Sequence, residues 1–124
     1  MTPRLAGTWL LVVVSASPVA AAAPVDPGTG PDQRIAYYRA RAGGTGSYVA
    51  WARLGQAYLD RGRMTGREQD RVRAERCLAR SLAYQPNLEA LRGMAVLRLD
   101  QHRFGEALEL AAEAAAAAPE DVAT

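Results

Sequence analysis

Apolar residues along the chain follow two patterns. Near the N-terminus they form one unbroken run, Trp9 to Val14. From about residue 32 onward they recur every three or four positions, the spacing of a helix with one buried face. Ile35, Tyr38 and Ala42 share such a face, with Asp32 as a candidate N-cap and Gly43 to Gly46 as a stop. Ser47 is placed to cap a second helix over 48–61, in which Trp51, Leu54, Gly55 and Tyr58 align. Gly62 is suited to end it. Thr65 with Glu68 reads as a capping box for a third helix ending near Tyr84, with Val72, Cys77, Leu78 and Leu82 on its apolar side. Its outer face is expected to carry Arg67, Glu68, Asp70, Arg71, Arg73, Glu75, Arg76 and Arg80. Pro86 ends that helix and Asn87 caps a fourth over 88–99, with Leu88, Leu91, Ala95 and Leu99 apolar. A fifth, 104–118, stops at Pro119. The pattern predicts an all-α chain of helix–turn–helix pairs with short connections.

The early apolar run changes the picture of the first 31 residues. Arg4, the apolar stretch, the breakers Ser15, Ser17 and Pro18, and the small residues Ala20 to Ala23 have the three-part order of a secretory signal. Cleavage after Ala22 is expected, giving residues 1–22 as a signal peptide and 23–31 as a Pro/Gly linker. The run falls well short of the roughly 20 residues that span a bilayer, so a membrane association requires that the segment be retained. The expected location is the periplasm or the extracellular space.

Composition narrows the function classes. Of 124 residues 26 are Ala and 15 are Arg, with no Lys, and aromatics are 6%. Few β-branched residues outside the N-terminal run argue against a β-sandwich or barrel. A formal net charge of +2 is too weak to mark a nucleic-acid surface. One Cys excludes an intramolecular disulfide and a Cys-based zinc site, and Cys77 reads as a buried helix residue. One His excludes a multi-histidine metal site, and His102 reads as a solvated turn residue. No nucleophile–His–acid set can be assembled, and neither glycine-rich turn has the context of a phosphate loop. No catalytic residue, metal ligand or cofactor is therefore expected.

A repeat is the strongest feature. Ala74, Leu78, Ser81 and Pro86 are followed 33 residues later by Ala107, Ala111, Ala114 and Pro119. Upstream stand Trp51-x-x-Leu54-Gly55-x-x-Tyr58 and a weaker counterpart, Leu91-x-x-Met94-Ala95, with Phe104 opening the last helix. This resembles the tetratricopeptide repeat, whose pattern is W-x2-L-G-x2-Y followed by Ala, a bulky position and Pro. The resemblance covers about 48–121 and implies antiparallel helix pairs stacked as a short right-handed superhelix. It divides the chain into a half unit 32–46, repeat one 47–86, repeat two 87–119 and the start of a third unit 120–124. Gly55, Ala95, Ala74 and Ala107 are small so that paired helices approach closely, while Trp51 and Tyr58 fill the space between units. Repeat one carries about seven extra residues in its turn relative to the usual 34-residue unit. A polar capping helix after the last repeat is missing, which suggests a truncated member of a longer array.

The resemblance also implies a partner-binding concave groove lined by the first helix of each pair. The groove residues would be Ala52, Gln56, Leu59 and Asp60 from repeat one, and Glu89, Arg92, Val96 and Asp100 from repeat two. The Lys and Asn residues that clamp a partner's C-terminal carboxylate in some members are absent. The expected role is a non-enzymatic exported scaffold binding another protein or peptide. The alternative is an assembly subunit that self-associates through its exposed last helix. Charge bears on that choice, since residues 24–103 sum to +6 and residues 104–124 to −5.

Overall fold

The computed structural model of the chain describes residue 28 and residues 30–117. The expected signal peptide, most of the linker, Pro119 and the start of a third unit lie outside the described residues. Five helices follow one another: α1 Pro31–Thr45, α2 Tyr48–Thr65, α3 Glu68–Tyr84, α4 Leu88–Asp100 and α5 Phe104–Ala117. No strand occurs among the described residues. Connections of two or three residues reverse the chain each time, so consecutive helices pack antiparallel. The fold is all-α, and its repeat-like packing of adjacent helices is compatible with a tetratricopeptide-like solenoid. Helix α2 is the centre, touching α1, α3 and α4, while α5 packs on α4.

Several boundaries differ from the sequence expectation, each for a local reason. Helix α1 starts on Pro31, whose fixed φ suits a first helical position, after Gly30. Asp32 is not the N-cap; it sits in the first turn and pairs with Arg61. Gly43 and Gly44 do not stop the helix, which runs to Thr45 and ends on Gly46 at φ 66°. Likewise Gly62 does not end α2. It is buried inside the helix, where an added Cβ would lie 3.2 Å from Asp70 Cβ, and the left-handed stop is Gly66 at φ 77°. The capping box is absent: Arg67 is the N-cap of α3 and makes no side-chain cap bond. Thr65 Oγ1 instead donates to the Arg61 carbonyl and accepts from Arg67 N–H. Ser47 and Asn87 do cap α2 and α4, accepting from Val49 and Ala50 N–H and from Ala90 N–H respectively.

The core lies where α2, α3 and α4 meet, and Leu78 of α3 is its wedge. Leu78 is fully buried, and a Cβ added at Gly55 would stand 2.7 Å from its Cγ. A Cβ at Gly93 of α4 would stand 2.9 Å from its Cδ2. Two glycines on two helices thus make room for one leucine, and close packing of this kind leaves no slack for an extra methyl. Ala74, Leu54, Tyr58 and Ala107 are buried as the repeat requires, and Ala95 is buried beside them. Val72 is not part of the apolar face of α3 and is largely exposed. Phe104 is 60% exposed and touches the His102 ring edge-on at 5.8 Å, so it does not plug the last helix pair.

Ser81 and Asp70 are the buried polar side chains among the described residues. Ser81 Oγ donates to the Tyr48 carbonyl at 2.7 Å and accepts from Asn87 Nδ2 at 3.0 Å, which ties the end of α3 to the starts of α2 and α4. Asp70 is not on the outer face of α3. It is 1% exposed, and Arg61 donates to both its oxygens, from Nε at 3.0 Å and from Nη2 at 2.8 Å. The same guanidinium donates from Nη1 to Asp32 at 2.9 Å, so one Arg of α2 clamps α1 and α3 together. Those hydrogen bonds hold the Asp70 carboxyl below the usual carboxylate range.

Candidate functional site

The predicted groove residues lie on α2 and α4, which the small Gly93 brings close enough to form one seam. Six of the eight are partly or fully accessible along it: Gln56, Asp60, Glu89, Arg92, Val96 and Asp100. Leu59 is not among them. It is fully buried, turned into the core, and offers a partner nothing. Ala52 is also buried, yet its methyl forms the floor of a shallow cleft of about 300 Å³.

That cleft collects residues from three helices. Arg34 and Tyr38 come from α1, Arg53 and Gln56 from α2, and Glu89 and Arg92 from α4. Helix α1 therefore reaches the same side as the two first helices of the pairs, and it contributes Arg34 and Tyr38, which sequence reading did not assign. The signal for Arg34 was faint: it stands one position before Ile35, beside rather than on the apolar face. Only the packing of α1 on α2 brings it to the cleft.

Each predicted acid of the groove is answered by an arginine within the chain. Arg34 Nη2 donates to Asp60 Oδ2 at 2.9 Å, and Gln56 Nε2 to Asp60 Oδ1 at 3.2 Å. Arg53 grips Glu89 across the α2–α4 seam at 3.3 Å. Arg63 meets Asp100 at 3.3 Å farther along the seam. The site is a shallow, mixed-charge surface whose carboxylates are held in place rather than presented bare. The Arg53–Glu89 pair, exposed on both sides, contributes at most about 1 kcal/mol, so a partner with its own charges can exchange it at small cost.

A second, larger cleft opens on another side of α2, between α1 and α3. It measures about 780 Å³, with Trp51, Leu54, Tyr58 and Cys77 on its floor. Its rim carries Arg39, Arg73, Arg76 and Arg80. Arg39 Nη2 donates to the Tyr58 hydroxyl at 2.6 Å, and the Arg80 guanidinium lies 5.0 Å over the Trp51 ring. Burial pushes the Cys77 thiol up to about 11, so it stays protonated and unreactive at neutral pH. A third cleft, between α3 and α5, is lined by Leu82, Met94, Arg98, Glu106, Glu109, Leu110 and Glu113. There Arg98 donates to Glu75 at 2.9 Å and lies 3.5 Å from Glu106, and its hydrogen bond keeps the Glu75 carboxyl below the usual range. No group of His, Cys, Asp and Glu among the described residues is arranged to hold a metal ion. No described helix is long and apolar enough to cross a membrane.

Compared with protein-family models, with curated proteins and with solved structures, the chain finds no match in any of the three.

Proposed function

We propose that the chain is an exported, tetratricopeptide-like scaffold that binds a segment of another protein along the α2–α4 seam, without catalysis. The observation that carries this reading is the meeting of α1, α2 and α4 at a concave, mixed-charge cleft with an alanine floor. Such a surface suits an extended or helical segment that lays small side chains on Ala52 and Val96 and offers charges of both signs to Arg53, Glu89 and Arg92. The repeat pattern of Trp51, Leu54, Gly55 and Tyr58, and the Gly55–Leu78 contact that it implies, support the family resemblance on which the groove rests.

Selection of binding segments from a random peptide library, followed by chemical-shift mapping of the best binder, tests the proposal. The expected result is perturbation of Gln56, Glu89, Arg92 and Val96, with binding weakened at least tenfold by Glu89→Arg. Binders that shift only residues elsewhere, or that ignore Glu89→Arg, overturn it.

A further inference from the structure

The two outer clefts are built from matching positions of the repeat, and their rims carry opposite charge. Arg73, Arg76 and Arg80 of α3 are followed 33 residues later by Glu106, Glu109 and Glu113 of α5. The floors correspond as well: Tyr58 of the cleft between α1 and α3 has Arg98 in its place in the cleft between α3 and α5.

Neutralisation differs accordingly. In the cleft between α3 and α5 Arg98 on the floor answers Glu106, which Arg103 also holds at 2.6 Å. Glu109 and Glu113 make no ion pair among the described residues. In the cleft between α1 and α3 Tyr58 supplies no charge, and no carboxylate among the described residues lines the site. Arg76 and Arg80 make no ion pair among the described residues, and the contact of Arg73 with Asp70 is long, at 3.4 Å. The buried Trp51 indole N–H there has no hydrogen-bond acceptor among the described residues either. Several guanidinium groups around an apolar floor repel one another and draw in an anion that also carries apolar surface.

We propose that the cleft between α1 and α3 receives helix α5 of a second copy of this chain, while its own α5 enters the partner's cleft. Helix α5 has the matching chemistry: three Glu, no Arg, and Leu108 left 73% exposed. At 100° per residue, Leu108, Glu109, Ala112 and Glu113 fall on one side of the helix, and all four are exposed. Glu109 and Glu113 repeat the four-residue spacing of Arg76 and Arg80, so antiparallel helices set both ion pairs in register. Leu108 then covers part of the Trp51–Leu54 floor. The two strips lie on neighbouring second helices, so a two-fold axis uses each strip once per copy and closes the pair. This contact is on another side of α2 from the proposed peptide groove, and the two readings fail independently.

Sedimentation of the purified chain over a wide concentration range tests the proposal. The expected result is a dimer that weakens when salt is raised from about 0.05 M to about 0.5 M, because the contact is ionic at its rim. Arg76→Glu with Arg80→Glu in one variant, and Glu109→Arg with Glu113→Arg in another, each weaken dimerisation at least tenfold. Mixing the two variants restores it, since each new rim then meets its opposite. Leu108→Ser, a change at an exposed site, weakens the dimer without touching charge. Helical circular dichroism establishes that each variant is folded. A chain that is monomeric throughout, folded variants that dimerise like the wild type, a mixture that fails to recover, or an open-ended ladder of oligomers overturns the proposal.

Discussion

The first helix pair, α2 and α3, and the second, α4 and α5, use the same template with different partners. In the first pair Gly55 faces Leu78, and in the second the matching residues are Ala95 and Ala111. The two alanines carry two side-chain carbons where the leucine alone carries four, and only the leucine reaches a third helix. Leu78 touches Gly93 of α4, whereas Ala111 is exposed because no described helix follows α5. The same holds at Ser81, buried with two hydrogen-bond partners, against Ala114, whose methyl needs none. A repeat position therefore takes its meaning from the neighbour it meets. Among the described residues the first pair has neighbouring helices on both sides, and the second has them on one side only.

The sharpest way to break that contrast is to remove the wedge. Leu78→Ala is expected to cost about 2–5 kcal/mol of stability, read by urea denaturation, because it empties a site shared by three helices. Ala111→Leu, at the matching place, is expected to change stability by no more than about 0.5 kcal/mol, as an exposed substitution does. Equal effects at the two positions sink the comparison.

Asp70 gives the next effect. Asp70→Asn leaves Arg61 without its buried carboxylate and is expected to cost roughly 2 kcal/mol, below the usual range for buried pairs because Arg61 is a quarter exposed. Its pH dependence carries a definite sign. The folded-state pKa is lowered, so the folded chain binds fewer protons than the unfolded one and stability rises with pH through that interval. The contribution is full above about pH 4 and is lost as pH falls through the folded value. The gap between wild type and Asp70→Asn in denaturant midpoint should close below about pH 4, and a gap that stays constant down to about pH 2 refutes this.

Gly55→Ala comes third, at roughly 1–3 kcal/mol, from a methyl forced against Leu78. In a Leu78→Ala background the same change should cost little, since the two sites share one space. Additive costs in that double-mutant cycle contradict the glycine–leucine pairing. Tyr58→Phe is expected to cost about 1 kcal/mol, as the Arg39 hydrogen bond that ties α1 to the stack is lost. Smallest of all is Arg53→Ala, about 0.5 kcal/mol or less and abolished by high salt, because its pair with Glu89 is exposed.

Much of the fold was legible in the sequence. The helix count, the caps at Ser47 and Asn87, and the buried Leu54, Tyr58, Ala74 and Ala107 follow from spacing and local chemistry. Glycine misled in two turns. Gly43, Gly44 and Gly62 read as stops, yet each stays helical, and the left-handed residues are Gly46 and Gly66. At Gly62 the reason is tertiary, since α3 passes so close that a small residue is needed there. Gly93 was overlooked for the same reason: within α4 alone nothing marks it as the seat for Leu78. The groove was half legible. The repeat resemblance assigned Gln56, Glu89, Arg92 and Val96 to the groove, and they are accessible, but it could not separate the buried Leu59 from its polar neighbour Asp60, nor bring Arg34 and Tyr38 in from α1.

The sequence by itself determined the helical class, the helix boundaries to within a few residues, and the positions that recur 33 apart, because these depend on local propensity and on periodicity. It also held the alternation of Arg73, Arg76 and Arg80 with Glu106, Glu109 and Glu113, although only as letters. The tertiary structure decided which charges are buried and which are exposed. Asp70 went inside because Arg61 of α2 could reach it on α3, while Arg76 and Arg80 stayed around an apolar cleft that offers no carboxylate among the described residues. Such outcomes depend on distances between side chains on different helices, and those distances exist only once α1, α2 and α3 have packed.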